Sequence, residues 1–468
     1  MPSASPDMPM KFLTPAQDRL RGRTGPAPQG EESAPMNIDT PPNSPRWRRR
    51  ASLTTLAAAV ALGSVLTAAA VSSADSANGA ADIASTTDTA STTDTGRATS
   101  QVVTWAASAD RQVTPSQDRT YRLVVRTSTG GQGLRIRLSN AFGDQPVTFG
   151  RAYAGERATD ATVVPGTNRA LSFGGSPSVT VPAGGSVYSD TLPGTVRPGS
   201  DLAVSLYVQS SGTTASGHRM ALQTSYVAPV GDHTAQESAD AFTQRVSSWF
   251  YLDAVVVGAR RGTGAVAALG DSITDGASST QDTNRRWPDL LAGRLAADRT
   301  TRIKGVANEG ISGNKVLSDG AGQSALKRLD RDVLSQRGLE TVILLEGVND
   351  IKSVPAPTAG QMIAGYQEII ARSHAAGVCV VGTTVMPYEG WRDWNTGGEQ
   401  VRQAVNAFIR DSGAFDAVVD FDATTRDPSA PTRMLTSFDS GDHLHPNDAG
   451  MEAMSRTVDP DDLRCDLS

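Results

Sequence analysis

Residues 266–269 read Val-Ala-Ala-Leu and run directly into Gly270-Asp271-Ser272-Ile273-Thr274-Asp275-Gly276. A short apolar run that stops at Gly, Asp and Ser reads as a buried strand turning into a helix. Further apolar runs occupy 341–345, 378–385 and 417–421, with a weaker strand candidate at 302–306. Helical patterns lie between them. One starts near Pro288, a residue suited to a first helical turn, with Leu290, Leu291 and Leu295 inward. Others align Leu326, Leu329 and Val333, then Ile363, Tyr366, Ile369 and Ile370, then Val401, Val405 and Phe408. Buried strands alternating with amphipathic helices imply right-handed βαβ units and a parallel sheet. Residues 262–468 are therefore expected to form an α/β domain whose ligands sit beyond the carboxyl ends of the strands.

Working outward, the period changes. Over 101–261 short alternating runs, such as 120–126, 134–138, 178–182 and 202–208, are split by Gly, Pro and Asn. This pattern predicts an antiparallel β-sandwich ending in a strand over 249–257. Residues 78–100 are a Ser/Thr-rich linker with a tandem Ala-Ser-Thr-Thr-Asp-Thr repeat, which cannot bury a core. Residues 1–77 read as a disordered lead-in followed by a secretory signal: Arg46-Trp47-Arg48-Arg49-Arg50, then an apolar stretch over 53–71 containing Ala68-Ala69-Ala70. The stretch nears the ~20 residues that span a bilayer, but its Ala and Thr favour cleavage over a retained anchor. The expected localisation is extracellular.

The chain has 468 residues, enough for two domains, and 43 Lys+Arg against 49 Asp+Glu give a net charge of −6. There is no basic footprint for nucleic acid. Counting the 45 Gly with the 38% hydrophobic set, less the 8 Tyr, brings the apolar share to roughly 46%, which excludes a wholly disordered chain. Two Cys cannot build a four-thiolate zinc site.

Four motifs carry chemistry. Ser272, at a strand-to-helix turn, has an exposed hydroxyl beside a helix N-terminus that favours developing negative charge. Asn308-Glu309-Gly310-Ile311-Ser312-Gly313-Asn314 follows the second strand, and its glycines let backbone N–H groups approach a reacting carbonyl. In Glu346-Gly347-Val348-Asn349-Asp350, the Asn349 amide suits an oxyanion donor, or else a helix cap. In Asp442-His443-Leu444-His445-Pro446-Asn447, Pro446 is expected in the first turn of a helix through Met451 and Met454. A tight turn there would bring Asp442 to His445, fixing its tautomer and leaving the other ring nitrogen to take a proton from Ser272. His443, held by Asp439, is the rival base. A metal site from Asp442, His443 and His445 is a poorer reading, because no familiar ligand string supports it.

With Ser, Gly, Asn and Asp/His motifs in that order, the sequence from about 265 to 458 resembles the GDSL esterases, or SGNH hydrolases. The family's signatures match Gly270-Asp271-Ser272, Ile311-Ser312-Gly313, Gly347-Val348-Asn349-Asp350 and Asp442-His443-Leu444-His445-Pro446. The resemblance implies a flavodoxin-like three-layer α/β/α domain and a metal-free, cofactor-free serine esterase. By position, Ser272 is the nucleophile, His445 the general base and acid, and Asp442 its orienting partner. The oxyanion would be held by the Ser272 and Gly313 N–H groups and the Asn349 side chain, with Gly310 an alternative backbone donor. The upstream β-domain is similar to that of secreted acyl-ester hydrolases, including carbohydrate deacetylase-like and arylesterase-like members.

Trp391 and Trp394 follow the fourth strand, where they would either contact a sugar or aryl group or pin their own loop. Cys379 and Cys465 would either pair in an exported protein or remain a buried thiol and a tail thiol. His374 reads as a helix C-terminal residue, and His218 and His233 have no obvious partner. The leading expectation is a secreted serine esterase acting on acyl esters, whether carbohydrate acetyl esters, aryl esters or lipids. The alternative is an exported glycan-binding protein whose α/β domain is inert. The expected partner is a small-molecule or polysaccharide ester, with no stable membrane anchor after cleavage. The sequence sets no oligomeric state.

Overall fold

A computed structural model describes residues 99–464. The lead-in and signal, residues 78–98 of the linker, and Cys465 lie outside the described residues. Strand Gly264–Gly270 is buried throughout. It pairs in parallel with Ile303–Gly310 on one side and Leu339–Leu345 on the other, and Cys379–Thr383 and Ala417–Val419 extend the sheet. Numbered along the chain, the five strands run 2-1-3-4-5. That order reverses direction beside the first strand and opens a crevice at its carboxyl end.

Helices Trp287–Ala297 and Asp448–Thr457 pack on each other, as do Ala359–Ala375 and Thr396–Asp411. These pairs cover the two faces of a sheet whose central strands are buried on both sides, giving the three layers. Pro288 lies in the first turn of its helix, as expected. Four details of this domain differ from the sequence reading. The fourth strand stops at Thr383, and Phe421 opens a short helix capped by Asp420 rather than closing the fifth strand. The face of Leu326, Leu329 and Val333 belongs to helix Ala325–Arg328 and a π-helical turn, Leu329–Leu334. Pro446 lies outside the last helix, because the Asn447 side chain accepts from the Ala449 and Gly450 N–H groups and so caps it one residue later.

Upstream, every pairing is antiparallel. Thr99–Ala106, Leu252–Arg260 and Gly131–Ser139 form one sheet. Arg119–Arg126 lies between Asp201–Ser210 and Ser225–Val230 in the other, with Val147–Thr159 beyond Asp201–Ser210. Leu123, Ile136, Leu138, Phe149, Leu206 and Val255 fill the space between them. The expected single strand over 249–257 breaks at Tyr251, where φ is +64°, into Trp249–Phe250 and Leu252–Arg260. Strand Arg119–Arg126 does not alternate in burial. Val124, Tyr226 and Phe242 build a small second core on its outer face, with the Arg122 guanidinium 3.8 Å over the Phe242 ring.

The antiparallel and parallel regions share a core. Val102, Val103, Ala254 and Val256 pack in the same cluster as Ala265, Ile303 and Val306. At Gly305 a Cβ would stand 2.3 Å from the Val103 carbonyl oxygen, so only glycine lets strand Thr99–Ala106 cover this edge of the parallel sheet.

Candidate active site

The first strand ends at Gly270, where a Cβ would clash with the Leu345 carbonyl at 2.5 Å and with Thr274. Asp271 then caps a single helical turn, Ser272–Asp275, by accepting from the Ile273 N–H at 3.0 Å. Gly276, at φ +105°, ends it. Ser272 is thus held at the crevice predicted by strand order.

Ser272 Oγ lies 2.8 Å from His445 Nε2, and His445 Nδ1 lies 2.6 Å from Asp442 Oδ2. A carboxylate accepts, so Nδ1 carries the proton and the bare Nε2 faces the serine hydroxyl. Asp442 Oδ1 accepts the Leu444 and His445 N–H groups at 2.9 and 2.8 Å, closing the tight turn. Partial burial works against the carboxylate, but these backbone bonds and the His445 ring hold its pKa below the ordinary value. His443 is held by Asp439 at 2.7 Å, on an exposed side chain pointing to neither Ser272 nor a shared ligand position. Among the described residues no three of His, Cys, Asp and Glu gather as a metal-binding group.

Gly310 and Gly313 separate clearly. The Gly310 N–H donates to Asn308 Oδ1 at 3.0 Å, and a Cβ there would meet the Asp275 N at 2.2 Å. Gly310 is therefore the floor under the Ser272 turn rather than a donor to substrate. Gly313, at φ +82°, turns the chain beside it. Asn349 sits in the turn Val348–Ile351 and donates to the Asn314 carbonyl at 2.9 Å and to Asp271 Oδ2 at 3.3 Å. The first bond orients the amide, and the second, long one is the N–H that a developing oxyanion could capture. Burial pushes the Asp271 carboxyl up to about 6 despite the Ile273 N–H.

Trp391 and Trp394 divide. Trp391 meets the His445 ring edge-on with centroids 6.0 Å apart, and Lys352 Nζ lies 4.9 Å over its face. Both pack against the domain core, but the Trp394 indole Nε1 is buried and without a hydrogen-bond partner among the described residues. Cys379 is buried at the start of its strand, and no described cysteine is free.

The sequence reading missed the frame. Arg328, fully buried, donates to the carbonyls of Gly270 (3.0 Å) and Glu309 (2.7 Å), to Asn314 Oδ1 (3.0 Å) and to Ser108 Oγ (2.7 Å). It ties two strand ends and the Gly313-Asn314 turn together. Arg328 lies about 100° around the helix from Leu329, so the apolar pattern carries no signal of its burial. Ser108 Oγ also donates to Glu309 at 2.6 Å, and burial, together with the nearby Asp332, pushes this carboxyl up to about 8. His218, for which the sequence offers no obvious partner, lies 3.0 Å from Asp275. Nothing in its local sequence shows that contact, which crosses 57 positions.

The parallel 2-1-3-4-5 sheet thus carries a serine, a histidine and an aspartate in one hydrogen-bonded line at its carboxyl edge. Residues 268–453 match the profile of the GDSL-like Lipase/Acylhydrolase family. Solved structures similar to it include Est24, a carbohydrate acetylesterase from Sinorhizobium meliloti (16% identity, 41% of this chain and 94% of that one, TM-score 0.33). Others are a GDSL-like lipase from Bacteroides thetaiotaomicron (17%, 42% and 86%, 0.33) and the M. smegmatis aryl esterase (18%, 41% and 95%, 0.34). No curated protein is matched by the chain.

Proposed function

We propose that this protein is an exported serine esterase that hydrolyses acyl esters through an acyl-enzyme. The observation that carries the reading is the hydrogen-bonded line from Ser272 Oγ through His445 to Asp442. Ser272 Oγ attacks the ester carbonyl while His445 Nε2 takes its proton, and the negative charge develops on the carbonyl oxygen. The Ser272 and Gly313 N–H groups and the Asn349 amide stabilise that charge. As the tetrahedral intermediate collapses, His445 protonates the leaving alcohol. Water then attacks the acyl-enzyme, gives its proton to His445, and releases the acid and free Ser272. Asp442 keeps the imidazole in the required tautomer and steadies its cation.

Trp391 beside His445 suits a leaving group with a flat or hydroxylated face, such as a phenol or a sugar. The basic and apolar segments before residue 78 direct export, where Cys379 and Cys465 would pair. Titrating thiols in denaturant tests the pairing: two free thiols without reductant would refute it.

Treatment of the full chain with a fluorophosphonate, followed by intact and peptide mass analysis, tests the main reading. A single adduct on Ser272, absent from Ser272→Ala, is expected. Folded protein that takes no adduct would overturn the triad assignment.

A further inference from the structure

A histidine of the β-sandwich region reaches the catalytic turns. His218 ends strand Thr214–His218 and is 6% exposed. Its Nε2 lies 3.0 Å from Asp275 Oδ1. Asp275 is the last residue of the Ser272 turn, and its other oxygen accepts the Ser312 N–H at 2.9 Å and the Ser312 hydroxyl at 2.6 Å. Ser312 immediately precedes Gly313. One carboxylate therefore links the serine turn to the oxyanion turn, and His218 braces it from behind.

The ring's surroundings define its protonation. Nδ1 faces the Ser108 carbonyl at 3.0 Å, and Nε2 faces the Met220 carbonyl at 3.1 Å as well as Asp275. Carbonyl oxygens and an ionised carboxylate only accept, so with Asp275 ionised both ring nitrogens donate and His218 is an imidazolium. Burial disfavours that cation, but the Asp275 charge and hydrogen bond more than compensate and raise its pKa. Trp249 covers the ring, with centroids 5.4 Å apart. Arg286, held by Asp289 at 2.6 and 2.9 Å, is a second cation that interacts with Asp275.

The charge balance matters for the reaction. A bare carboxylate on Ser312 would place negative charge one residue from a donor that must receive an oxyanion, and repulsion there would oppose the transition state. An imidazolium on its far side offsets that charge and locks the carboxylate's orientation. Building on the esterase reading, we propose that His218 is a positioning residue: its cation holds and neutralises Asp275, so that the Ser312-Gly313 turn presents its donor to the oxyanion. The sandwich region then completes the catalytic domain rather than serving as a detachable accessory.

The test compares wild type, His218→Leu, His218→Gln and Ser312→Ala as full chains. It measures kcat and KM for p-nitrophenyl acetate, the fluorophosphonate labelling rate at Ser272, and Tm. His218→Leu should lose about tenfold or more in kcat and labelling rate, with KM within about twofold of wild type. His218→Gln keeps a donor for Asp275 without the charge and should recover part of the loss. A folded His218→Leu with wild-type kcat would overturn the proposal, as would losses that merely track a lowered Tm. Should His218→Leu fail to fold, His218→Gln and Ser312→Ala decide: reduced kcat at unchanged Tm supports the role, and unchanged kcat in both refutes it. Wild type that neither labels nor turns over would instead sink the esterase reading itself, which distinguishes the two failures.

Discussion

Arg328 donates from Nη2 to the carbonyl of Gly270, 3.0 Å away, at the point where the first strand gives way to the Ser272 turn. The same guanidinium holds Glu309, Asn314 and Ser108, so one buried cation sets the spacing between the serine turn, the Gly313-Asn314 turn and the sandwich.

Removing that cation strands acceptors that water cannot reach. Arg328→Met should cost about 3–5 kcal/mol in denaturant unfolding, the range for breaking a buried charge constellation. Arg328→Lys should not restore it, because an ammonium cannot reproduce the planar fork that serves several separate acceptors. A lysine variant as stable as wild type would disprove the bracing role.

Asp442→Asn keeps the turn's shape but no longer favours the Nδ1–H tautomer of His445. It should lower kcat by about 10³–10⁴ with little change in KM, read from steady-state ester hydrolysis. Asn349→Ala should cost roughly 10²–10³ in kcat. Full activity in Asn349→Ala would remove that amide from the oxyanion site.

The pH dependence of stability should carry the mark of Asp271. Its folded pKa of about 6 lies above the ordinary value of 3.8, so the folded state holds this proton more tightly than the unfolded chain. Wild type should therefore lose stability, relative to Asp271→Asn, as pH rises from about 4 to about 6, with a constant gap above that. Urea midpoints for both proteins between pH 4 and pH 8 check this. A gap that widens toward low pH would contradict it.

Trp391→Ala should alter KM and kcat together, because the indole borders both the His445 ring and the crevice. Trp394→Ala should lower Tm with KM unchanged, since its ring packs into the domain. A substrate series from acetyl to longer acyl esters, measured on both variants, separates the two roles. A raised KM in Trp394→Ala alone would reverse the assignment.

Much of this architecture is legible locally. The 3.6-residue and two-residue periods depend on which face of each segment is apolar, so Leu291, Leu295, Tyr366 and Ile369 mark their helices without tertiary knowledge. Turn chemistry is also local, which is why Gly270-Asp271-Ser272 and Asp442-His443-Leu444-His445 could be placed at element ends. Pro446 misled because two residues competed for the same helix start. The Asn447 side chain satisfies two amide donors, whereas a proline in the first turn would only have removed one.

What the sequence determined alone was the order of elements, the parallel sheet and the four motifs, because each rests on periodicity or on turn residues within a few positions. The tertiary structure decided that Gly310 is the floor under the Ser272 turn, and which histidine meets Ser272. It also decided that Ser108 and His218 from the sandwich reach the catalytic turns. Those choices turn on the close approach of backbone at Gly310 and on buried charges that must find partners far along the chain. Arg328 and His218 could be anywhere on an isolated segment. Only burial, which leaves an unpaired charge too costly to keep, obliges them to meet Gly270 and Asp275.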